Sequence, residues 1–579
     1  MIAHRGPDAA GEWTSADHRF WLGNTRLAII DLSPTGAQPM VDPATGNVIV
    51  ANCEIYNHRA LRAELGAADW RGTSDTETIL LGYARWGRGL VDRLRGMFAF
   101  VIYDHARQQI FVARDRLGIK PLYYTLDADG LRLASEVKVL TGPSSAITPG
   151  SIAAYLQWGA SPEDKLLYPE IQVLPAGHAM TIGGAGQPNI WLYWPARQSF
   201  ASPREAAPQK IRALLEVAVE EHLLADVPVA SFLSGGIDSS IVTALAAQKM
   251  GRRLATFSVG FEVGDLDESA IAAEVAQRYA TQHERIQLTE EEVIQSVTAA
   301  VAHMDLPSVD AINTYIVSRA VAQRGVKVAL SGLGGDELFG GYPSFRDVAR
   351  LKLLGKFSPR LRKAFGGARL ADLPGDAETI ELGQWRRRFF TDAMLEQAGL
   401  PNERTSIEAP VVLPDDFARI SWAELTGYMR RMLLRDADQM SMAVSLELRV
   451  PFLDHELVEY ALGLPAAEKK RYGSGKGLLV ESCRDLLPAS VYQRPKAGFV
   501  LPMKKWMAGP LAPFVAQGLQ EVVERGLLPE KFVARAREQF RSGRLHWTRL
   551  WSMVVLGHFV RRTSSDRRPD ENPALHTLA

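Results

Sequence analysis

A short segment between two apolar stretches carries residue types that bind phosphate. In PVASFLSGGIDSSIVTALAA, a strand-like run ends at Leu233 and a helix-like run begins after the serines. Adjacent glycines let the backbone turn tightly, so that consecutive N–H groups face one anion. Serine hydroxyls add donors at a helix N-terminus, where the dipole favours negative charge. We predict a phosphate site formed by Leu233, Ser234, Gly235, Gly236, Asp238, Ser239 and Ser240.

Asp238 within this loop indicates a metal ion. A carboxylate beside phosphate repels it unless a divalent cation intervenes, so we predict that Asp238 binds Mg²⁺. The segment lacks the Gly-Lys-Ser/Thr ending of the common nucleotide-binding P-loop. The alternative is a Gly-Ser turn in which Ser239 caps the following helix.

A second glycine loop follows another predicted strand, in KVALSGLGGDELFGGY. Sites in a doubly wound sheet form beyond the carboxyl ends of strands, so both loops are expected at one nucleotide. Ser331 and Gly332 then join the nucleotide site, and Asp336 shares Mg²⁺ with Asp238 unless it only caps its helix. Val259 ends a third strand and is expected beside the adenine or ribose.

The elements around these loops indicate two fold classes. Residues 208–562 begin with alternating strand-like and helix-like segments, which predict a doubly wound parallel sheet, and end in a helical extension. Residues 1–145 are rich in short strands with few helices, which predicts an α+β layered domain. Residues 146–207, rich in Gly and Pro, are predicted to connect the two, and residues 563–579 to form a disordered tail.

Composition excludes several classes of protein. Lys plus Arg and Asp plus Glu both total 66 in 579 residues, which argues against a general nucleic-acid binder. Two cysteines exclude a disulfide framework and a Cys-rich zinc site. The sequence has neither an apolar run of roughly 18 residues nor an apolar leader. We therefore expect a cytoplasmic protein with small-molecule partners, without nucleic acid or membrane, and a homodimer is one option for its assembly.

The order of motifs resembles a known family. HRGPD, RLAIIDLS, NCEIYN, SDTE and ARDRLGIKPLYY, all before residue 125, resemble the glutaminase domain of B-type glutamine-hydrolysing asparagine synthetases. SGGIDSS, SGLGGDELFGGY, DADQMSMAVSLELRVPFLDHELVEY and RPKAGFVLP resemble their synthetase domain, a pyrophosphate-loop ATP pyrophosphatase. The resemblance runs in order from His4 to about Arg561.

This resemblance implies an αββα Ntn-hydrolase-like glutaminase domain and an ATP-dependent ligase. A carboxylate, aspartate in the family, attacks ATP to give an acyl-adenylate and pyrophosphate, and ammonia from glutamine then forms the amide through an internal channel. Lys496 matches the lysine that stabilises the five-coordinate phosphorus. The positions that hold glutamine match Arg26, Asn52, Cys53, Glu54 and Asp75.

A further charged cluster leaves two interpretations open. The motif DADQMSMAVSLELRV and the residue before it contribute Arg435, Asp436, Asp438, Glu447 and Arg449. These side chains either hold an amino-acid substrate or form a structural ion network.

Three positions depart from the family pattern. The family's nucleophile is an N-terminal cysteine, but residue 2 is Ile, and we expect either an upstream start codon or a loss of glutaminase activity. Cys53 replaces the usual Gly of Asn-Gly-Glu, and we expect it not to be a substitute nucleophile. Leu333 replaces an acidic residue, which puts aspartate in question and favours another carboxylate, such as a sugar acid or peptide side chain. The other alternative is a non-catalytic scaffold.

Overall fold

One antiparallel and one parallel sheet organise the chain. The computed structural model describes residues 1–183, 186–196, 207–261, 269–402, 412–473, 475–493 and 501–565. The strands are β1 (Ala9–Thr14), β2 (Trp21–Arg26), β3 (Met40–Val41), β4 (Val48–Ile55), β5 (Gly96–Asp104), β6 (Gln109–Arg114), β7 (Tyr123–Asp127), β8 (Gly130–Ala134), β9 (Gln172–Val173), β10 (His178–Gly183), β11 (Asn189–Leu192), β12 (Val229–Phe232), β13 (Ala255–Phe261), β14 (Gln282–Leu288), β15 (Val328–Leu330) and β16 (Glu447–Arg449).

Helices dominate the second half of the chain. They are α1 (His58–Leu65), α2 (Asp75–Trp86), α3 (Leu90–Arg93), α4 (Pro149–Trp158), α5 (Ala207–His222), α6 (Ile237–Met250), α7 (Ser269–Arg278), α8 (Glu290–His303), α9 (Ala311–Ala322), α10 (Gly335–Phe339), α11 (Ser344–Gly355), α12 (Pro359–Ala371), α13 (Thr379–Arg387), α14 (Asp392–Gln397), α15 (Asp416–Glu424), α16 (Arg435–Met442), α17 (His455–Gly463), α18 (Ala466–Lys470), α19 (Gly477–Ser482), α20 (Ala489–Tyr492), α21 (Met503–Ala508), α22 (Ala512–Glu524), α23 (Glu530–Arg541) and α24 (Trp547–Ser565). A π-helix, Leu425–Leu434, joins α15 to α16. None of the helices in the described ranges is long and apolar enough to cross a membrane.

The amino-terminal sheet has the order β11-β10-β6-β5-β4-β3, with antiparallel neighbours throughout. Along β5, Phe98 and Phe100 pack into one apolar cluster while Ala99 and Val101 pack into another. This alternation of side chains buries both faces of the sheet. The strands predicted from VIVANCEIYN, MFAFVIYD and QIFVARD are confirmed as β4, β5 and β6.

The predicted connecting region takes part in this sheet. Strands β10 and β11 lie within residues 146–207, and β10 pairs with β6 from Ala179↔Ala113 to Gly183↔Gln109. The amino-terminal layer therefore extends beyond the predicted boundary at residue 145. The reason is that apolar strand residues such as Met180 sit among glycines and prolines that signal a loop. Of the predicted tail, residues 563–565 end α24, and residues 566–579 lie outside the described ranges.

The second sheet is parallel, in the order β14-β13-β12-β15-β16. The predicted alternation of strands and helices is confirmed for β12–α6–β13–α7–β14 and for α9–β15. Successive strands run from β12 outward to β14, and the chain then returns to place β15 on the other side of β12. The carboxyl ends of β12 and β15 therefore form a topological switch point, where open α/β sheets bind ligands.

Candidate active site

The two glycine loops meet at this switch point. A Cβ on Gly332 would lie 2.8 Å from the backbone N of Ser239 and 2.9 Å from Cβ of Asp238, so only glycine lets the loops approach this closely. Gly235 has φ +78°, a left-handed conformation that side chains disfavour. Both loops thus depend on glycine, and they form one surface beyond the ends of the strands.

The serines of the first loop hold its shape. Oγ of Ser234 lies 2.9 Å from Oγ of Ser239, and the Ser239 hydroxyl donates to the carbonyl of Gly236 at 3.2 Å. Helix α6 has Gly236 as its N-cap residue without a side-chain cap, so the alternative in which Ser239 caps the helix does not match the structure. Ser240 was predicted to bind phosphate, but its side chain is fully buried in α6, so its hydroxyl does not line the loop surface.

Lys476 joins the two carboxylates that were predicted to share a metal ion. Its Nζ lies 2.6 Å from Oδ1 of Asp336 and also contacts Oδ2 of Asp238. Burial by itself would lower the pKa of Lys476, but Asp238 and Asp336 outweigh burial and raise it. Asp336 lies in the first turn of α10 behind the N-cap residue Gly334, and thus does not cap the helix.

Sequence reasoning did not find Lys476. It is 140 residues beyond the second loop, between Gly475 and Gly477 at the start of α19. A lysine flanked by glycines, just ahead of a helix, was the available signal, because small neighbours let the ammonium approach other groups closely. The fold brings it beside both loops.

A carboxyl group with an altered pKa lies next to Asp336. Burial and then repulsion by Asp336 raise the pKa of Glu337 to about 7, although the Tyr342 hydroxyl donates to its Oε1 at 2.7 Å. A carboxyl that titrates near neutrality suits proton transfer. Leu333 packs against the apolar core, so the acids of this segment are Asp336 and Glu337.

Two further predicted residues have different outcomes. Val259 lies near the end of β13, beyond the last residue that pairs with β12, and so flanks the first loop. β13 continues to Phe261, and Val259 packs against an apolar cluster, so its contact with the adenine or ribose stays a prediction. Lys496, predicted to act on the phosphorus, lies outside the described residues.

A cavity of about 720 Å³ in the amino-terminal layer brings together all five predicted glutamine-binding residues: Arg26, Asn52, Cys53, Glu54 and Asp75. Asn52, Cys53 and Glu54 lie on β4, Arg26 ends β2, and Asp75 begins α2. These three elements bring the five residues together. Nδ2 of Asn52 is buried without a described hydrogen-bond acceptor, so it can donate to a ligand. The guanidinium of Arg26 donates to backbone carbonyls, including that of Ile30 at 3.1 Å.

Cys53 lies inside β4. Its Sγ lies 3.6 Å from Oδ2 of Asp75 and 3.6 Å from Oγ1 of Thr76. Burial, followed by the Asp75 charge, raises the pKa of Cys53 well above its usual value. The sulfur is therefore a neutral thiol, whereas nucleophilic attack requires a thiolate.

Glu54 is held by a residue of the parallel sheet. Nη2 of Arg449 lies 2.7 Å from Oε2 of Glu54, and Nε of Arg449 lies 2.9 Å from Oε1 of Glu447. The Glu447 carboxylate also pairs with Lys120 at 3.0 Å. The candidate glutamine cavity and the carboxyl end of the parallel sheet thus share one buried ion network.

The rest of the charged cluster is also engaged within the protein. Arg5 pairs with Asp438 at 2.8 Å, and Asp436 accepts from Ser308 at 2.5 Å. Arg435 donates to the carbonyl of Ser161 at 2.7 Å. These contacts favour the structural ion network over the amino-acid site as the role of this cluster.

Comparisons with known proteins agree with this two-part arrangement. Residues 210–561 match the family model for asparagine synthase, and residues 1–194 match the model for a glutamine amidotransferase domain. The chain is 34% identical to a putative glutamine-hydrolysing asparagine synthetase of Mycobacterium tuberculosis, over 96% of this chain and 91% of that protein.

Two other relatives show how the family varies. Asparagine synthetase 1 of Bacillus subtilis is 31% identical, over 96% of this chain and 91% of that protein. The Gibberella zeae protein named amidase chry2 is 29% identical, over 88% of this chain and 85% of that protein.

Proposed function

Because the chain belongs to the asparagine synthase family, we propose that it activates an acceptor carboxylate with ATP and converts it to an amide. It is an enzyme of the glutamine-hydrolysing asparagine synthetase type. The observation that carries the proposal is the meeting of the two glycine loops around Asp238, Asp336 and Lys476. Backbone donors, carboxylates and a buried ammonium are the groups that a departing pyrophosphate requires.

The first step forms an acyl-adenylate. A carboxylate oxygen of the acceptor attacks the α-phosphorus of ATP, the bond from that phosphorus to the bridging oxygen breaks, and the electron pair leaves with pyrophosphate. The loop around Ser234 and Gly236 binds the departing phosphates through backbone N–H groups. Lys496 is proposed to stabilise the negative charge on the equatorial oxygens as the phosphorus becomes five-coordinate.

Magnesium fits the donor set of this site. Asp238 and Asp336 direct carboxylate oxygens at one point, and Mg²⁺ is bound by one or two carboxylates together with substrate phosphates. When bound there, the ion would neutralise negative charge on the phosphates. Lys476 supplies a fixed positive charge at the same place.

The second step replaces AMP by nitrogen. Ammonia attacks the acyl carbon, the carbon–oxygen bond to AMP breaks, and one proton leaves the nitrogen. We propose that Glu337, whose pKa burial and Asp336 raise to about 7, accepts this proton. We also propose that ammonia arrives through an internal channel that passes Met442, because Met442 lines both the 720 Å³ cavity and a small cavity beside Leu448 of β16.

The acceptor is either aspartate or a different carboxylate. Leu333 favours the second candidate, because an apolar side chain in this loop neither pairs with an ammonium nor accepts a proton. A non-catalytic scaffold is disfavoured by the burial of Lys476 against two carboxylates, which is costly to retain without use.

Pyrophosphate release from ATP tests the proposal. The full chain is incubated with ATP, ammonium and a panel of acids that includes aspartate, other amino acids, sugar acids and peptides, with and without Mg²⁺. We expect release that requires both Mg²⁺ and one class of acid, with one amide formed per pyrophosphate. Pyrophosphate release that does not depend on the added acid would contradict the proposal. So would the absence of release with every acid under conditions in which ATP binds.

A further inference from the structure

A second cavity, of about 360 Å³, lies among the helices beside the parallel sheet. Arginine supplies six of its fifteen lining residues, and among the described residues no acidic side chain lines it. The arginines are Arg369, Arg386, Arg387, Arg388, Arg431 and Arg549. Guanidinium groups stay charged in proteins and carry donors in a geometry that fits carboxylate and phosphate oxygens.

Three of the six arginines have a carboxylate partner. Arg387 pairs with Glu424 at 2.8 Å, Arg386 with Asp347 at 3.1 Å, and Arg388 with Asp392. Because a carboxylate faces each of these three arginines, they contribute less to the charge of the cavity. The remaining three arginines contribute more.

Arg369, Arg431 and Arg549 have no ion pair with a described carboxylate. Arg369 and Arg549 donate instead to backbone carbonyls, for example from Arg549 Nε to Phe389 at 2.6 Å. Burial and then the positive charges of Arg386 and Arg549 lower the pKa of Arg369. Positive charges therefore crowd this wall of the cavity without a matching negative charge.

Arg431 is the strongest indication of a ligand. Its side chain is 7% exposed, and its guanidinium carbon lies 4.4 Å from the ring of Trp158. Burial lowers the pKa of Arg431 to about 10, against the attraction of Asp164. No hydrogen bond joins this guanidinium to an acceptor within the described part of the chain. A buried charge without a partner is costly, so an anion that enters the cavity would relieve that cost.

The cavity adjoins the proposed adenylation site. Arg387 lies in its wall, with its guanidinium carbon 4.3 Å from the ring of Tyr342 and 4.1 Å from that of Tyr428. Tyr342 in turn donates to Glu337, the neighbour of Asp336. Gly427, Tyr428, Arg431 and Met432 reach the cavity from the π-helix, a rare element that often occurs at functional sites.

We propose that this arginine-lined cavity binds a compact ligand with two or more negative groups, of the polycarboxylate or phosphate class. The ligand is either the distal part of an acceptor acid or a separate anion that modulates the enzyme. The proposal goes beyond the amide-forming function, because binding of an anion here requires no cleavage of ATP.

Calorimetric titration of the full chain tests it, at fixed ionic strength and without Mg²⁺. The probes are citrate, inorganic phosphate and, as a singly charged comparison, acetate. We expect one citrate site, with acetate at least tenfold weaker. Arg431→Met keeps an apolar side chain against Trp158 and should weaken citrate at least tenfold. Arg350→Met, which removes an exposed arginine of α11, should leave citrate binding unchanged.

A second variant and a competition complete the test. Arg549→Gln should also weaken citrate tenfold, and it decides the matter if Arg431→Met does not fold. Saturating ATP should leave citrate bound. The proposal is overturned if citrate does not bind, if ATP displaces it, or if neither Arg431→Met nor Arg549→Gln weakens it relative to Arg350→Met.

Kinetics separate the two sources of the ligand. If the cavity holds the distal part of the acceptor, Arg431→Met raises the KM of acids with additional carboxylates and leaves the KM of simple acids unchanged. If a separate anion binds there, citrate shifts the rate with every acid, and Arg431→Met removes that shift. If the native chain binds citrate but releases no pyrophosphate with any acid, the amide-forming function is contradicted and the anion site is not.

Discussion

Two carboxylates on different loops share one buried ammonium at the candidate site. Asp238 follows β12, Asp336 follows β15, and Lys476 begins α19. Both carboxylates contact the Lys476 ammonium. They are also the groups proposed to bind the divalent cation that accompanies ATP. These three side chains are therefore the ones whose removal should disturb the phosphate chemistry most directly.

Replacement of either carboxylate should impair adenylation. We expect Asp238→Asn and Asp336→Asn each to lower the rate of pyrophosphate release by a factor of roughly 100 or more, because an amide is a poor magnesium ligand. Asp129→Asn, at an exposed turn between β7 and β8, is the matched control and should keep the full rate. Near-normal release by both variants at saturating Mg²⁺ would refute the metal assignment.

Lys496 should act on the chemical step. A point charge that meets the equatorial oxygens only in the five-coordinate state lowers the barrier without strengthening the binding of ATP. Lys496→Ala should therefore lower kcat by roughly 100-fold and change the Kd of ATP less than about threefold. The measurements are steady-state pyrophosphate release and equilibrium nucleotide binding. A large loss of ATP affinity with kcat preserved would contradict this role.

The loop residues were accessible to sequence analysis, and Lys476 was not. Leu233 to Ser240 form one continuous motif between a strand and a helix, so local spacing reveals their chemistry. Lys476 reaches the same point only through the packing of α19, more than 200 residues after Asp238. The arginine-lined cavity was hidden for the same reason, because its six arginines come from α12, the end of α13, the π-helix and α24, which are distant in the sequence.

At the scale of elements, long periodic segments were predicted and short ones were missed. β5 is a run of nine residues that are all buried except Gly96, whereas β16 has only three residues after α16. A three-residue strand carries no period that a sequence reveals. β16 belongs to the sheet because it pairs in parallel with β15, from Val328↔Glu447 to Leu330↔Arg449.

Arg449 on β16 should be important for stability. Its side chain is fully buried between Glu54 and Glu447 and also donates to the carbonyl of Leu224 at 2.7 Å. Arg449→Met would leave the buried Glu54 without its ion pair and Glu447 with Lys120 alone, and should lower the free energy of unfolding by roughly 3–5 kcal/mol. Arg107→Met, which removes a 69% exposed partner of Asp104, should cost less than about 1 kcal/mol. Equal losses in denaturant unfolding would refute the role of the network.

His222, the last residue of α5, should make stability depend on pH. Burial lowers its pKa from 6.5 to about 3, despite a hydrogen bond to the Ala218 carbonyl. Between those pH values the unfolded chain binds the proton more readily, so this residue's contribution to stability falls as the pH falls. At pH 5 the loss is about 2 kcal/mol.

A variant without the imidazole of His222 does not lose this stability as the pH falls. The stability of His222→Gln relative to the native chain should therefore improve by about 2 kcal/mol between pH 7.5 and pH 5. Urea unfolding at the two pH values measures the difference. His303→Gln, at an exposed position on α8, is the matched control and should show no such change. A constant gap for His222→Gln would show that the native histidine is charged or accessible.

At the scale of the whole molecule, buried ion pairs join the two layers that hold the two candidate sites. Lys120 pairs with Glu447, Arg5 with Asp438, and Glu54 with Arg449. Met442 lines both the 720 Å³ cavity and a small cavity that Lys120 and Asp438 also line. The charged groups at this boundary are therefore held in pairs within the protein.

The last prediction concerns the compound that supplies the nitrogen of the amide. The 579 residues contain two cysteines, and burial raises the pKa of Cys53 well above its usual value and that of Cys483 to about 12. Neither sulfur is a thiolate near pH 8, and glutamine hydrolysis by a thiol requires one. Ammonia needs only the acyl-adenylate and a path to it. We therefore expect this chain to form its amide from ammonium salts and to release no glutamate from glutamine.

Cys53→Ser provides the decisive comparison, because the substitution removes the sulfur and keeps a small polar side chain beside Asp75. Amide formation from ammonium should be unchanged in this variant, since Cys53 lies in the antiparallel sheet and not among the phosphate loops. Glutamate release by the native chain that is lost in Cys53→Ser would make Cys53 a nucleophile, with Asp75 as the adjacent proton acceptor. Release that persists in Cys53→Ser would instead indicate a glutaminase site formed by other residues, because a serine beside a carboxylate has no comparable acidity.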